Sequence, residues 1–189
     1  QYWLQLWLVY DILFSNIDRY IGRNRKDDTM REKTFCFSGH RNIPDCDFSK
    51  IQRRTEEMIR TLIYRGYRYA AVGGALGYDL LALRTLLQLK EEHRQLRIIG
   101  VCPFPGYNSR WTLTQKAEYE SLIRRLDKLV YTVSADKASG EAFWARNRKM
   151  VDGSSVLICY YNKNHSRSGT GQCVRYAQRQ GLEIFNVVE

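Results

Sequence analysis

The alternation of apolar runs with helical patterns, which begins at residue 34, constrains the fold of this 189-residue chain more than any other feature. The apolar runs predict strands at 34–37, 67–72, 96–102, 129–133 and 154–161, and in the run EIFNVV. Helical spacing of apolar residues predicts helices over 48–65, 78–92 and 111–126, and in EAFWARNRKMVD and GQCVRYAQRQG. Strands that are apolar throughout and alternate with helices pair in parallel, with both faces of the sheet covered. The sequence therefore predicts a doubly wound α/β domain.

The loops after the strands are where such a fold binds ligands, because the carboxyl ends of parallel strands meet at one edge of the sheet. Their residues offer N–H groups and hydroxyls to a phosphate, arginine to its charge and aromatic faces to a base. We therefore predict a nucleotide-class ligand. The candidate binding residues are Ser38, Gly39, His40 and Arg41 after the first strand, Gly73, Gly74, Gly77 and Asp79 after the second, Pro103, Tyr107 and Trp111 after the third, Arg146 and Asn147 before the fifth, and Ser168, Gly169 and Thr170 after it.

The stretch AAVGGALGYDL places three glycines between a predicted strand and a predicted helix. Such a turn has two explanations. It can be needed for positive φ angles and close packing of helix on strand, or it can let main-chain N–H groups approach a phosphate at the positive end of the helix. The surrounding polar loops favour the second explanation for Gly73, Gly74 and Gly77.

Several candidate residues have a structural alternative. Asp79 either stabilises the first turn of its helix or binds ligand hydroxyls. The side chains of Arg146 and Asn147 either face the cleft or brace the fifth strand. Tyr107 and Trp111 either stack on a base or close their own loop.

Two residues directly after the first strand have clearer expected roles. Arg41 lies near two glycine turns, and we expect its guanidinium to pair with a phosphate. His40 has no carboxylate near it in the sequence, so we expect it to form hydrogen bonds rather than to act as a general acid or base.

The charge balance allows several partners. Thirty Lys and Arg against twenty Asp and Glu give a net charge of +10, which fits a polyanionic partner, a nucleotide ligand or simple solubility. A nucleic-acid partner is a less favoured prediction than a small nucleotide derivative, and a homo-oligomer is compatible with the sequence.

The cysteines and histidines indicate neither a disulfide framework nor a metal site. The five cysteines include no C-x-x-C pair, and the three histidines are scattered singly. Cys36, Cys102 and Cys159 lie in apolar runs, where a reduced thiol behaves as a small hydrophobic group. We predict a cytoplasmic protein without a metal or cofactor.

The first 29 residues are expected to form an N-terminal extension outside the α/β domain, which spans 30–189. Residues 3–21 have helical spacing, and the charged segment GRNRKDDTMREK after them resembles a linker. The apolar start is interrupted by Gln5 and Asp11 and is too short to span a bilayer, so no transmembrane segment or signal peptide is predicted.

Five motifs in order give the chain a family resemblance: SGHRNIP, GGALGYD, PFPGYNSRW, RNRKMVDGSSVLICYYN and SGTGQCVRYA. They resemble the YpsA-like (DUF1273) branch of the SLOG superfamily, which is named for the Smf/DprA and LOG proteins and has bacterial and phage-like members. The resemblance covers about 30–187. It implies a Rossmann-like sheet that binds a nucleotide derivative of the ADP-ribose or NAD class, with Gly73, Gly74 and Gly77 in the first glycine loop and Gly169 and Thr170 in the second.

The chain departs from the pattern of the enzymatic LOG proteins, PGGxGTxxE. The second loop here has Ser168 before Gly169 and Thr170, and no carboxylate follows Thr170. Cleavage of an N-glycosidic bond is therefore only the alternative function, and a sensing or binding role is the leading one. A glycosidase would need a carboxylate near the sugar, for which the candidates are Asp45, Asp47, Asp79 and Glu141.

Single-stranded DNA binding, as the resemblance to DprA implies, is the second alternative. The net charge and the interleaved arginines and tyrosines of RTLIYRGYRYA favour it. The same arginines, Arg60, Arg65 and Arg68, also fit an ordinary solvated face.

Overall fold

The computed structural model describes residues 25–188, with side chains from residue 29 onward. The predicted helix over 3–21 lies outside the described residues. A helix α1 (Arg25–Glu32) lies across the predicted boundary between extension and domain, within the segment that was expected to be a linker. The predicted boundary near residue 30 stays a prediction.

Six strands alternate with helices in the order that the sequence predicts. The strands are β1 (Thr34–Gly39), β2 (Tyr69–Val72), β3 (Arg97–Cys102), β4 (Lys128–Tyr131), β5 (Val156–Tyr160) and β6 (Glu183–Asn186). The helices between them are α2 (Asp45–Tyr64), α3 (Tyr78–Glu92), α4 (Leu113–Ile123), α5 (Gly140–Asp152) and α6 (Gly169–Arg179), with short 3-10 helices at Ala135–Lys137 and Lys163–His165.

The strands form one all-parallel sheet in the order β4-β3-β2-β1-β5-β6. The chain builds the sheet outward from β1 to β4, then crosses back to place β5 against the other edge of β1. The register pairs Phe35 with Val156 and Gly39 with Tyr160. This order confirms the predicted Rossmann-like, doubly wound fold, and it puts the reversal of strand order between β1 and β5.

A separate hydrophobic core lies on each face of the sheet. One core contains Phe35, Phe37 and Ile98 from the strands together with the inward sides of α2 and α3. The other contains Cys36, Leu157 and Cys159 under α5 and α6. The alternation of Phe35, Cys36 and Phe37 between the two cores follows from the two-residue period of a strand. The expected burial of Cys36, Cys102 and Cys159 is confirmed.

Local chemistry sets where helices begin. Helix α4 begins at Leu113 because Thr112 and Gln115 form a capping box, in which the Thr112 hydroxyl accepts from the Gln115 amide and the Gln115 side chain accepts from the Thr112 amide. Helix α2 begins directly after Pro44, with Asp45 and Asp47 in its first turn. No helix among residues 25–188 is both long enough and apolar enough to cross a membrane.

Candidate functional site

A cleft of about 350 Å³ opens at the carboxyl ends of β1 and β5, where the strand order reverses. Three separate loops and helix α5 converge on it. The lining residues are Phe37, Ser38, Gly39, His40, Arg41, Ala75, Asp79, Phe143, Arg146, Asn147, Ser168, Gly169 and Thr170. The structure thus brings together most of the candidate residues around the first strand, the fifth strand and Asp79.

A buried ion pair forms the floor of this cleft. Nη1 of Arg146 donates to Oδ2 of Asp79 at 3.0 Å, and the two side chains are 8% and 6% exposed. The amide of Ala75 donates to the same carboxylate oxygen at 3.2 Å. Burial raises the pKa of Asp79, and Arg146 and the Ala75 amide oppose that effect. Asp79 is therefore a partner of Arg146 and of its own loop.

Arg146 also has a buried donor without a partner. Its Nε atom is buried and has no hydrogen-bond acceptor among the described residues. An unsatisfied buried donor on a cation is costly, on the order of 1–3 kcal/mol, unless an acceptor reaches it. Arg146 also lines the cleft, so its positive charge lies close to any anionic ligand group bound there.

The three glycines after β2 are explained by packing. A Cβ on Gly73 would overlap Nη1 of Arg146 and lie 2.6 Å from Oδ2 of Asp79. Gly74 has a φ of +65°, and Tyr107 donates from its hydroxyl to the Gly74 carbonyl at 2.8 Å. Gly77 has a φ of +83°, and a Cβ there would overlap the Arg41 carbonyl. These residues let the ion pair and the loops approach closely, and none of them lines the cleft.

The second glycine loop has free main-chain donors. Ser168 caps α6, and its hydroxyl accepts from the Gly171 amide at 3.1 Å. The amides of Gly169 and Thr170 come before it in the first turn and have no acceptor within residues 25–188. A Cβ on Gly169 would meet nothing within 4 Å. The positive end of α6 is thus open toward the cleft.

His40 and Arg41 lie at the mouth of the cleft with different roles. Nε2 of His40 accepts from the Asn162 amide at 3.0 Å, so that atom is unprotonated. Burial lowers the pKa of His40, and the neighbouring His165 lowers it further. Arg41 is exposed and forms no ion pair with any described residue. His40 therefore joins two loops, whereas Arg41 is available as a cation.

The aromatic candidates after β3 lie beside the cleft and support its loops. Tyr107, Trp111 and Tyr119 pack edge to face, with ring centres 5.4 to 5.9 Å apart. Pro103 is buried, and its carbonyl accepts from Val133. Pro103, Tyr107 and Trp111 do not line the cleft.

Three lining residues, Phe37, Ala75 and Phe143, are absent from the predicted site residues. Phe143 lies three residues before Arg146 and four before Asn147, a spacing that places all three on one side of α5. This helical spacing from Arg146 and Asn147 was the sequence signal that could have identified Phe143.

Of the carboxylates considered for glycosidic cleavage, Asp79 lines the cleft, while Asp45, Asp47 and Glu141 do not. No cluster of three or more potential metal ligands occurs in the described part of the chain.

Comparison with known proteins finds a matching protein family and related bacterial proteins. The family model described as "YspA SLOG family" matches residues 39–188. The chain is 29% identical over 144 residues to the SPbeta prophage-derived protein YoqJ of Bacillus subtilis, covering 70% of this chain and 83% of that protein. It is 22% identical over 138 residues to the UPF0398 protein YpsA of the same organism, covering 71% of this chain and 77% of that protein.

Among solved structures, the fold resembles that of DNA processing protein A from Helicobacter pylori, described for its single-stranded DNA binding mode. The TM-score is 0.59 at 17% identity, and the match covers 86% of this chain and 68% of that one. A likeness at this identity shows the shared fold.

Proposed function

This chain belongs to the YpsA family of SLOG proteins, and from that premise we propose that its cleft binds a phosphate-bearing nucleotide derivative of the ADP-ribose or NAD class. The observation that carries the proposal is the convergence of donors without acceptors. The Arg146 Nε atom, the Gly169 and Thr170 amides and the Arg41 guanidinium all belong to residues that line one cleft. A phosphate in the cleft would accept from the Gly169 and Thr170 amides and would be attracted by the charges of Arg41 and Arg146.

The phosphate is expected at the amino end of α6. Helix amino ends carry a partial positive charge and free N–H groups, which favour a phosphate there. Arg41 adds a full charge at the mouth, where a guanidinium can bind two phosphate oxygens at once. The first glycine loop, by contrast, supports the cleft through Arg146 and Tyr107 rather than by direct contact.

The size of the cleft limits the ligand. Its volume of about 350 Å³ lies at the lower end of the range usual for small-molecule sites. That size suits a mononucleotide, or the AMP portion of a larger molecule such as ADP-ribose whose remainder extends out of the cleft.

The test is a pair of glycine substitutions. Gly169 and Gly140 are the first residues of α6 and α5, and a Cβ at either meets nothing within 4 Å. Gly169→Leu should fill the cleft and weaken binding of AMP or ADP-ribose at least tenfold by calorimetry, a cost of about 1.4 kcal/mol. Gly140→Leu, outside the cleft, should bind as the wild type does. Absence of binding by the wild-type protein to AMP, ADP-ribose and NAD would overturn the proposal.

Single-stranded nucleic acid is a second candidate, favoured by one observation. The arginines first considered for this role are occupied: Arg60 pairs with Glu92, Arg65 pairs with Glu183, and Arg68 donates to main-chain carbonyls. The favourable observation lies on the opposite face of the sheet. There, the exposed cations of α5, α6 and the loop before α6 have no carboxylate partner within residues 25–188. They are Arg148, Lys149, Arg167, Arg175 and Arg179. The fold shared with DNA processing protein A supports this candidate.

A further inference from the structure

One side of α5 lines the cleft with residues of different chemistry. Arg146 lies deep in the cleft beside Asp79, and Phe143 and Asn147 lie on the same side of the helix at three- and four-residue spacing. The free cation Arg41 and the amino end of α6 belong to other walls of the same cleft. The cleft therefore combines an anion-binding part with an aromatic and amide-bearing part.

The Phe143 ring is held in place by two neighbouring rings and lines the cleft. It is half-buried, and its neighbours Phe104 and Tyr107 have ring centres 5.8 and 6.5 Å away. Their planes are inclined to that of Phe143 by 81° and 76°, so neither lies parallel against it. Edge contacts of this kind fix the orientation of the ring. A planar ligand group can still stack on it.

Asn147 supplies the polar complement. It is half-buried and lines the cleft, and its side-chain amide has no hydrogen bond to any residue of the described chain. Its amide offers both donors and an acceptor, which is the pattern needed to pair with the edge of a nucleobase. Next to an aromatic ring, such an amide has the groups needed to hold a flat heterocycle, one by stacking and the other by hydrogen bonds.

We propose that Phe143 and Asn147 form a nucleobase subsite, in which the base stacks on Phe143 and its edge pairs with Asn147, while the phosphate lies toward Arg41 and α6. This inference rests on the proposed function, since it divides the same cleft into a base end and a phosphate end. A base subsite means that nucleotides with the base attached bind more tightly than sugar phosphates without a base.

The test compares AMP with ribose 5-phosphate, which lacks the base, by calorimetry. The wild-type protein should bind AMP at least tenfold more tightly, because stacking of a base on an aromatic side chain contributes enough for such a factor. Phe143→Leu keeps an apolar side chain but removes the ring. It should lower the affinity for AMP about tenfold and leave the affinity for ribose 5-phosphate unchanged. Asn147→Leu should also reduce the preference for AMP over ribose 5-phosphate.

The matched control is Trp144→Leu. Trp144 follows Phe143 on α5 but packs against Tyr176, with ring centres 5.5 Å apart, and does not line the cleft. The Trp144→Leu variant should bind AMP and ribose 5-phosphate as the wild type does. Thermal melting should show that all variants fold. Equal binding of AMP and ribose 5-phosphate by the wild type, or equal weakening of both in Phe143→Leu, would overturn the subsite while leaving the phosphate site intact. Binding of neither compound would also overturn the subsite, and if ADP-ribose and NAD failed to bind as well, the proposed function itself would be overturned.

Discussion

At the scale of single residues, the Asp79–Arg146 pair accounts for much of the local sequence. Because the guanidinium occupies the space beside residue 73, only glycine fits there. Because Asp79 also accepts from the Ala75 amide, the loop after β2 is held by the same carboxylate. One buried charge pair thereby determines both the shape of the cleft floor and the residue type at position 73, six residues before Asp79.

This pair yields a stability prediction. Asp79→Leu and Arg146→Leu should each lower the free energy of unfolding by about 3–5 kcal/mol, because each leaves one buried charge without its partner. The double variant should cost less than the sum of the two, since no unpaired charge remains. Urea denaturation of the wild type, both single variants and the double variant gives the coupling energy. Simple additivity would show that the pair is not coupled.

At the scale of helices and strands, Asp127 joins three elements. Its carboxylate accepts from Lys90 of α3, from Arg97 of β3 at 3.0 Å and from the Ile98 amide at 2.8 Å, directly before β4 begins. Burial alone would raise the pKa of Asp127, but the Lys90, Ile98 and Arg97 donors outweigh it and the pKa is lowered below its ordinary value of 3.8. The ionised form therefore stabilises this corner of the sheet.

The lowered pKa predicts an acid-dependent difference between variants. A depressed folded-state pKa contributes stability that is present above pH 3.8 and is lost as the pH falls through the folded value. Asp127→Asn should therefore be less stable than the wild type by about 1 kcal/mol at neutral pH, and the difference should shrink as the solution is acidified. Denaturation series across this pH range measure it. A difference independent of pH would contradict the electrostatic explanation.

The order and type of the elements were predictable from apolar spacing, whereas several boundaries were not. Helix α4 was predicted from residue 111 but begins at Leu113, because the cap at Thr112 decides the start. Strand β2 was predicted from residue 67 but begins at Tyr69, since the amides of Arg68 and Tyr69 both bond to the Lys33 carbonyl. Apolar periodicity carries no information about such contacts between distant parts of the chain.

The site was predictable to a similar degree. Parallel topology was enough to gather the loops at His40, Asp79 and Thr170 at one edge. The pairing of Asp79 with Arg146 was not predictable, because the two residues are far apart in sequence and meet only through the crossover to β5. Without that contact, the glycines after β2 suggested a phosphate loop, whereas they accommodate protein side chains and main chain.

At the scale of the whole molecule, the two layers of helices differ in how their charges are balanced. Arginines on or beside α2, α3 and α4 are joined to carboxylates, as in the pairs Arg53–Glu57, Arg84–Glu118 and Arg125–Glu91. On the other layer, Arg148 and Arg179 lie over the ring of Tyr176, 5.6 and 5.8 Å from its centre. The exposed cations Arg148 and Arg179 thus lack the carboxylate partners that these arginines of the first layer have within residues 25–188.

This asymmetry predicts which side would contact a polyanion. Arg148→Glu with Arg179→Glu should weaken binding of a fluorescent single-stranded oligonucleotide and flatten its dependence on salt, by fluorescence polarisation at two salt concentrations. Arg53→Glu with Arg124→Glu changes the net charge equally on the opposite layer and serves as the control. Equal losses in both double variants would mean that only the overall charge matters, and absence of binding at low salt would exclude this second function.

The late return of the chain to β1 has a consequence for biosynthesis. While the ribosome is still making the segment before Val156, β1 can pair with β2 on one side, but its other edge has no strand beside it. An open, apolar strand edge is a site of wrong association between nascent chains. A chain released after β4 would therefore be prone to aggregate, and it would also lack α5 and α6, which contain five of the thirteen residues that line the cleft.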